Sequence, residues 1–559
     1  MPSNMFSRRD FIRTVGAGAL AGSAMVRSAS AVVAPSGLFQ HGVASGDPLA
    51  DRVIIWTRVT PAQPGMVPVM WEVALDESFK RIIRRGRVLT GEDIDYTVKA
   101  DVLGLPAAAK LYYRFRAGSE YSTIGRTRTL PAGAVNQVKL AVFSCSNFPA
   151  GYFHVYAEAA KLGDIDVAVH LGDYIYEYSR SGYASGDAES LGRVSEPEGE
   201  ILSLADYRTR HAQYRTDPDL QALHAAVPMI AVWDDHEISN DTWREGAENH
   251  TEGVEGSFAE RRAAAIRAYH EWLPTRVPDP AHPERIYRSF RFGNLLSLHM
   301  LDTRVIGRDQ QLDYANYIGA TGFDTASFSA DIVDPNRTLL GAEQQDWLSL
   351  QLAQSSTTWD MLGQQVLMGR MNIPSPLVLG LISFTDYSAL VYKATVAPAT
   401  LTPQEQAILA EPAIPYNLDA WDGYAVARET LLGTARALNK NLVVLAGDTH
   451  NAWANDLADF SGNAVGVEFA TSSVSSPGLE EYFPSEDPLA VAAGLTQIIG
   501  PLQYADTGRR GFMIVTVTHD ACRAEWRYVS TVKSRTYVLQ QGPALKVLPG
   551  IGNRKLVPA

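Results

Sequence analysis

The fold of this chain is decided by one stretch, Asp166-Val167-Ala168-Val169-His170-Leu171-Gly172-Asp173-Tyr174-Ile175-Tyr176-Glu177. An apolar run of strand length stops at a glycine and is followed at once by polar side chains. Such runs are typical of strands that are buried on both faces, as in the sheets of α/β proteins. The stretch therefore predicts a buried strand whose carboxyl end presents Asp173 and its neighbours.

The same pattern recurs along the chain. Runs at 138–143, 229–233, 295–301 and 442–446 also end in polar residues, and helical patterns separate them. Strands that alternate with helices indicate an α/β domain. Upstream, the runs 53–59, 67–74 and 110–116 alternate apolar and polar residues between turn signals, which predicts an antiparallel β-sandwich.

Two segments predict long surface loops. One is the Gly- and Ser-rich stretch 181–199, and the other is the acidic, polar stretch 243–256. Loops of this length inside a compact domain are uncommon and are often functional.

The N-terminus is similar to a secretory signal. Ser7-Arg8-Arg9-Asp10-Phe11-Ile12-Arg13 precedes the apolar stretch 14–26 and then Ala29-Ser30-Ala31. This order, with its paired arginines, is typical of a twin-arginine signal peptide. We predict a signal over residues 1–31, recognised by the twin-arginine export machinery, and a mature protein in the periplasm or secreted. No other apolar stretch approaches 18 residues, so we expect no stable membrane anchor.

Length and charge narrow the class of protein further. With 559 residues the chain exceeds the roughly 250 to 300 residues at which single cores stop growing, so we expect at least two structural units. The net charge of -13 and the absence of a Lys and Arg run disfavour a nucleic-acid partner. An anionic substrate is compatible with this charge because bound cations reverse the local field.

Four predicted strand ends carry side chains that bind metals. They are Ser144-Cys145-Ser146-Asn147, Gly172-Asp173-Tyr174-Ile175-Tyr176-Glu177, Asp234-Asp235-His236-Glu237 and Gly447-Asp448-Thr449-His450. In open α/β sheets, ligands bind beyond the carboxyl ends of the strands. Carboxylates and imidazoles bind divalent and trivalent cations, and one Asp can bridge two metals about 3.5–4 Å apart. The set therefore predicts a two-metal hydrolase.

The two cysteines leave two interpretations open. An exported protein with only Cys145 and Cys522 is expected to form one disulfide. The position of Cys145 at the first strand end favours a metal ligand instead.

Three motifs carry a family resemblance. Gly172-Asp173-x-x-Tyr176, Asp235-His236-Glu237 and Gly447-Asp448-x-His450 parallel the blocks of calcineurin-like and purple acid phosphatases. Asp235 and Asp448 stand where those blocks have Asn and His, and Cys145 replaces the usual first carboxylate. With these departures the chain resembles the PhoD family of alkaline phosphatases, and the stretches 42–48, 53–58, 206–208, 233–237, 301–304 and 448–453 also match that family's pattern.

The resemblance implies an architecture and a metal centre. We expect a small antiparallel β-sandwich domain over 36–133, a metallophosphatase domain of two mixed β-sheets flanked by helices over 137–540, and a C-terminal tail over 541–559. The resemblance further implies Fe3+ and Ca2+. The iron ligands would be Cys145, Asp173, Tyr176 and His450, and the calcium ligands would be Asp173, Asp235 and Asp448.

The resemblance also implies an activity. A metal-activated hydroxide would attack a phosphate mono- or diester in line, with His236 as general acid or transition-state donor beside the bridging Asp173. Arg208, Arg210 and Arg304 are candidates for binding phosphate because a guanidinium matches its oxygens. We expect a monomer. Two alternatives are a phospholipase D-like hydrolase of lipid headgroups or wall polymers on the same fold, and a binding module with an inactive metal site.

Overall fold

The apolar runs of the sequence form the strands of two large sheets. The computed structural model describes residues 37–319 and 322–559, so the predicted signal at 1–31 lies outside the described residues. The strands are β1 Val43–Gly46, β2 Arg52–Arg58, β3 Val67–Ala74, β4 Ile82–Thr90, β5 Thr97–Leu103, β6 Lys110–Ala117, β7 Glu120–Tyr121, β8 Gly125–Arg128, β9 Gln137–Phe143, β10 Val167–His170, β11 Met229–Ala231, β12 Arg288–Phe292, β13 Leu296–Met300, β14 Ile318–Gly319, β15 Gly322–Phe323, β16 Trp359–Gly363, β17 Asn372–Pro374, β18 Ala413–Pro415, β19 Leu442–Ala446, β20 Ala452–Ala458, β21 Ala464–Ala470, β22 Leu502–Asp506, β23 Arg510–Thr518, β24 Cys522–Val529, β25 Leu539–Val547 and β26 Val557–Pro558.

Helices cover the outer faces of these sheets. They are α1 His154–Ala160, α2 Ala188–Leu191, α3 Leu204–Arg215, α4 Pro218–Ala226, α5 Phe258–Trp272, α6 Thr325–Ile332, α7 Gly341–Gln354, α8 Ser375–Val378, α9 Phe384–Val396, α10 Pro403–Ala410, α11 Ala425–Ala437 and α12 Pro488–Ile498. None of these described helices combines the length and the apolar character that crossing a bilayer requires.

Both large sheets mix parallel and antiparallel strands. The ten-stranded sheet has the order β26-β25-β24-β23-β9-β10-β11-β1-β2-β5, and the seven-stranded sheet has the order β12-β13-β16-β19-β21-β20-β22. Strands β9, β10 and β11 run parallel, as do β13, β16, β19 and β21, while the flanking strands β12, β20 and β23 are antiparallel. The predicted α/β class with two mixed sheets is confirmed.

The main core lies between the two sheets. Leu140 and Val169 from the ten-stranded sheet and Leu298 and Leu445 from the seven-stranded sheet belong to one buried cluster. The other face of the seven-stranded sheet buries its apolar residues in a second cluster, to which α7 and α11 contribute. Each strand of the parallel core is therefore buried on both sides, which is why its sequence is a continuous apolar run rather than an alternating one.

The N-terminal strands form two antiparallel layers. One layer contains β3, β4, β6, β7 and β8, and the other contains β1, β2 and β5. This second layer continues the ten-stranded sheet, because β1 pairs with β11. On β2, Val53 and Ile55 face the N-terminal core, whereas Trp56 belongs to the main core and donates its Nε1 hydrogen to Glu271 O at 2.8 Å. The predicted antiparallel sheet is present, but it shares strands with the main sheet.

The C-terminal residues differ from the predicted tail at 541–559. Strand β25 pairs with β24 along nearly its whole length, and β26 pairs with β25. These strands cover the edge of β24, which would otherwise present unpaired backbone groups. The expected boundary at residue 540 falls inside β25, so the first residues of the predicted tail belong to a paired strand.

We predict that the N-terminal sandwich and the main sheet unfold together in one cooperative transition. Because Trp56 is fully buried against the main core, Trp56→Ala should lower the free energy of unfolding by about 3–5 kcal/mol. Denaturant melts followed by far-UV circular dichroism should show a single transition, shifted as a whole. Leu89→Ala, on an exposed leucine of β4, should change the stability by less than about 0.5 kcal/mol. If the Trp56→Ala variant showed a separate early transition while its main transition stayed unchanged, that result would contradict a sheet shared by the two parts.

Candidate metal centre

Strand direction brings the four predicted strand ends together. Strands β9, β10 and β11 are adjacent and parallel, so the residues that follow them lie at one edge of the ten-stranded sheet. The segment after β19 reaches the same edge from the facing sheet, since a Cβ on Gly447 would lie 2.7 Å from the Cβ of Ser144. Backbone hydrogen bonds join the first two segments, with Cys145 N donating to Gly172 O at 3.2 Å.

Four of the predicted ligands lie in left-handed backbone conformation. The φ angles are 60° at Cys145, 55° at Asp173, 61° at Asp448 and 62° at His450. Each such residue costs on the order of 1–3 kcal/mol, and such strain concentrates where function requires it. Gly172 has a φ of 106°, and a Cβ there would lie 2.5 Å from Asp234 N, so this turn requires glycine.

Three groups of potential ligand atoms form at this edge, and within each group all the atoms lie within 4.8 Å of one another. The first is Cys145, Asp173 and His450; the second is Asp173, Asp235 and His236; the third is Asp234, Asp235 and Asp448. Asp173 belongs to the first two groups, and Asp235 belongs to the last two. The predicted ligands therefore converge, with Asp173 in the position that a bridging carboxylate would occupy.

Tyr176 completes the first group. Its hydroxyl donates to Asp173 Oδ2 at 2.9 Å and lies 3.2 Å from His450 Nε2. His450 Nδ1 lies 2.6 Å from Pro477 O, a carbonyl that can only accept, so the ring proton is on Nδ1. The lone pair of Nε2 consequently faces the group, which is the tautomer that a metal ligand needs.

The buried acidic groups have too little positive charge around them. Burial raises the pKa of Asp173 and that of Asp234 well above the usual range, and neighbouring carboxylates add to the effect. Burial and Asp173 likewise raise the pKa of the Cys145 thiol. Among the described residues, Asp173 Oδ1 and Asp234 Oδ2 are buried oxygens that accept no hydrogen bond. Buried polar atoms without partners are costly, and cations would satisfy both the lone pairs and the charge. The donor set therefore fits metal ions.

Arg304 supplies part of the missing charge. It is fully buried, its Nη1 lies 2.7 Å from Asp419 Oδ1, its Nη2 lies 3.2 Å from Asp448 Oδ1, and its Nε contacts Asp234 Oδ1. Burial lowers the pKa of Arg304, but these carboxylates outweigh burial and hold it well above the usual value. One guanidinium among several carboxylates leaves the site anionic. The hydrogen-bond donors of Arg304 are already committed to those carboxylates.

His236 is held by a buried glutamate that the sequence did not single out. His236 Nδ1 lies 2.7 Å from Glu177 Oε2, and Glu177 also accepts from Asn240 N and Asn249 Nδ2 at 2.8 and 3.1 Å. Burial lowers the pKa of His236, yet Glu177, Asp235 and Asp173 more than offset this effect and raise it well above the usual value. Glu177 therefore orients the imidazole, and His236 shares a group of potential ligand atoms with Asp173 and Asp235.

The structure does not bring Arg208 or Arg210 to this cluster. Arg208 pairs with Glu271, its Nε lying 2.6 Å from Oε2, and it donates to Asp93 O. Arg210 is buried and donates to the carbonyls of Tyr176, Tyr178 and Glu196, so it fixes the loop that carries Tyr176. Of the three arginines named from the sequence, only Arg304 contacts the carboxylates of the site.

A pocket of about 480 Å³ opens over the cluster. The predicted loops form its walls: Ser181, Gly182 and Tyr183 come from one, and Glu248 and Asn249 from the other. None of the described residues that line it is Lys or Arg. Five acidic residues line it: Asp173, Glu200, Asp235, Glu248 and Asp448. An anionic substrate can enter such a pocket only if cations reverse its field.

Sequence reasoning missed other contributors. Asp234 joins the third group, although it was quoted only as part of a motif. Glu237 accepts from the backbone N–H groups of Asp173 and Asp234, at 3.0 and 2.7 Å, and so fixes two ligand-bearing turns to each other. A signal was present in both cases, since these acids flank Asp235 and His236 at a strand end. The two cysteines are free thiols, so no disulfide joins them.

Comparison with known proteins gives a consistent assignment. The PhoD-like phosphatase family model matches residues 140–526, and the model of the PhoD-like phosphatase N-terminal domain matches residues 26–131. Alkaline phosphatase D of Bacillus subtilis (strain 168) is 36% identical over 555 residues, which covers 95% of this chain and 85% of that protein. The solved structure of PhoD is 33% identical, covers 95% of this chain and 93% of that one, and superposes with a TM-score of 0.77.

We predict different pH dependences for two buried aspartates of the metal-free protein. The folded-state pKa of Asp173 is raised above its unfolded value of about 3.8, so its contribution to stability is lost as the pH rises through the folded pKa. Asp173→Asn should therefore gain stability relative to the unmodified protein as the pH rises above about 3.8 in chelator, until the folded pKa is passed. Urea melts at each pH measure this difference.

Asp419 provides the matched comparison. Burial raises its pKa, but Arg304 and Arg308 outweigh burial and lower it. The charged form of Asp419 therefore stabilises the fold above its unfolded pKa, and Asp419→Asn should be less stable than the unmodified protein at neutral pH. A stability difference for Asp173→Asn that stays constant with pH, as we expect for Asp419→Asn above about pH 4, would disprove the proposed charge imbalance.

Proposed function

This chain belongs to the PhoD-like phosphatase family, and from that premise we propose that the cluster around Asp173 is a two-cation centre that hydrolyses phosphoric esters. As a member of that family the protein is a phosphoric ester hydrolase of the alkaline phosphatase type. The observation that carries the assignment of the site is the sharing of Asp173 between two groups of ligand atoms. A carboxylate shared in this way suits a pair of cations about 3.5–4 Å apart.

The donor atoms support different ions in the two positions. The first would be held by Cys145, Asp173, Tyr176 and His450, which offer sulfur, imidazole and phenol donors typical of transition metals. The second would be held by Asp173, Asp235 and Asp448, with Asp234 beside them, and these offer only oxygen. Hard cations such as calcium prefer oxygen ligands. We accordingly propose Fe3+ in the first position and Ca2+ in the second.

Bound cations supply Lewis acidity at the phosphoryl oxygens and a water of lowered pKa for in-line attack on phosphorus. The side chains of this protein provide the rest. His236, fixed by Glu177, belongs to the same group of potential ligand atoms as Asp173 and would donate a hydrogen bond or a proton to an ester oxygen. Asp173 would bind the cations in both positions and so fix them relative to each other. No nucleophilic side chain is required, so no covalent phosphoenzyme is expected.

We propose for Arg304 a role other than binding phosphate. Its nitrogens are occupied by Asp234, Asp419 and Asp448 behind the cluster. We propose that it holds these carboxylates in place and limits their mutual repulsion, while cations and His236 bind the phosphate.

Export by the twin-arginine route remains our proposal for residues 1–31. It rests on Arg8-Arg9 and on the small residues Ala29-Ser30-Ala31. The metal centre joins strand ends from distant parts of the chain, so it forms only in the folded protein. An export route that carries folded proteins would therefore deliver a loaded site.

We predict that each position can be emptied separately. Cys145→Ala should lose the transition metal, and the visible charge-transfer colour that a thiolate or phenolate gives Fe3+, while it keeps the second cation. Asp448→Asn should lose the second cation, and Asp173→Asn should lose both. Elemental analysis and absorption spectra of the purified proteins measure the contents, and hydrolysis of nitrophenyl phosphate and of its bis-ester measures the activity.

Cys522→Ala is the matched control, since Cys522 is also a buried free thiol but belongs to none of the three ligand groups. It should retain metal and activity. Loss of metal in Cys522→Ala equal to that in Cys145→Ala, or full activity of a preparation without metal, would refute the proposed centre.

We predict that Glu177 acts by positioning His236. Glu177→Gln should lower kcat about 10- to 100-fold, as removal of an orienting partner usually does, with KM and metal content nearly unchanged. Glu248→Gln, a change in the pocket wall, should have little effect on kcat. A rise in KM or a loss of metal in Glu177→Gln, without a fall in kcat, would contradict this role.

A further inference from the structure

The outer face of the N-terminal sheet carries charge opposite to that of the whole chain. Directly opposed residues of neighbouring strands lie on one face of a sheet. The register places Arg87 and Arg116 on either side of Met70, and Arg85 and Arg114 on either side of Glu72. The complete set of charged residues on this face, here called the basic face, is Arg85, Arg87, Lys110, Arg114, Arg116, Arg126, Arg128 and the one acid Glu72.

Most of these cations are available to a partner. Arg114 pairs with Glu72 at 2.8 Å, and Arg128 pairs with Asp166. Within the part of the chain that the structure describes, no carboxylate pairs with the five others, which are all exposed: Arg85, Arg87, Lys110, Arg116 and Arg126. The opposite face of the same strands is apolar and buried, with Val69, Val73 and Phe115 in the N-terminal core.

Protection of a sheet edge does not explain this pattern. Charged side chains on edge strands prevent pairing with other chains, and the arginines of β4 could serve that purpose. However, Arg114 and Arg116 lie on β6, which is flanked by β3 on one side and by β7 and β8 on the other. The cations therefore cover the centre of the sheet as well as its edge.

We propose that the basic face docks the protein on an anionic lipid surface, in addition to its hydrolytic function. The charges extend in two dimensions over four strands, a width of roughly 14 Å at the usual strand spacing, and a planar array complements a planar array of headgroups. A linear polymer would instead be followed by a groove or a single stripe.

Exposed apolar side chains at one end of the basic face support the choice of lipid. Leu89, opposite Pro68, is 52% exposed, and Tyr121, opposite Arg116, is 49% exposed. Arg116 lies over the Tyr121 ring at 5.8 Å from its centroid. Cations beside an exposed leucine and tyrosine are typical of surfaces that lie in the membrane interface.

Sedimentation with vesicles tests this proposal. The intact protein should bind vesicles of phosphatidylcholine with about 30 mol % phosphatidylglycerol, and not vesicles of phosphatidylcholine alone, with binding that weakens as salt rises. Each cation removed should reduce the partition coefficient about fivefold. The fourfold variant Arg85→Gln, Arg87→Gln, Arg116→Gln, Arg126→Gln should therefore bind on the order of 600-fold more weakly, with unchanged turnover of nitrophenyl phosphate.

A second fourfold variant controls for net charge. Arg52, Arg267, Arg436 and Arg523 are partly exposed arginines outside the basic face, and their change to Gln should leave vesicle binding nearly intact. Leu89→Ser with Tyr121→Ser should weaken binding to vesicles but not to soluble polyphosphate. Equal losses in the two fourfold variants, no binding to anionic vesicles, or binding to polyphosphate alone would overturn the proposal.

Discussion

The structure of the site depends on one electrostatic constraint, the concentration of buried carboxylates at the carboxyl edge of two facing sheets. Asp173, Asp234 and Asp235 are almost fully buried, and Arg304 neutralises only part of their charge. Burying an unpaired carboxylate costs several kcal/mol even after relaxation. The fold can hold this set because its two sheets, its cores and the strained turns fix the side chains before any cation binds. An anionic site that binds metal cations is stable only within such a scaffold.

The strained turns share one feature. Four of the proposed ligands follow the end of a strand at a left-handed residue, where the chain turns sharply. They are Cys145, Asp173, Asp448 and His450. Glu237 and Arg210 then fix the turns by bonding their backbone groups. Residues that contact no substrate therefore determine where the ligand atoms lie, and this explains why buried polar residues surround the cluster.

The sequence predicted the strands of the parallel core and most of the cluster, because a continuous apolar run that ends in polar residues is a local pattern. It could not predict which arginine reaches the site. Arg208 and Arg304 both stand in motif-like contexts, yet Arg208 lies on α3 and pairs with Glu271, while Arg304 follows β13 and enters the cluster. Partner choice is a property of packing between distant segments. The same is true of Glu177, whose role follows from the position of His236, and of β25, whose pairing with β24 no local signal in the predicted tail revealed.

The distribution of charge separates two tasks on one molecule. Five acidic residues line the pocket, and in our proposal bound cations are what allow it to receive a phosphate ester. The basic face is positively charged without any bound metal ion, because it consists of Arg and Lys side chains. A net charge of -13 would repel the whole protein from an anionic surface at long range, but at about 0.1 M salt the Debye length is only about 10 Å. At contact distance the local sign of the surface decides the interaction, so a cationic sheet can dock an acidic protein. The orientation that results is set by the N-terminal layer, which shares β1, β2 and β5 with the sheet that builds the metal centre.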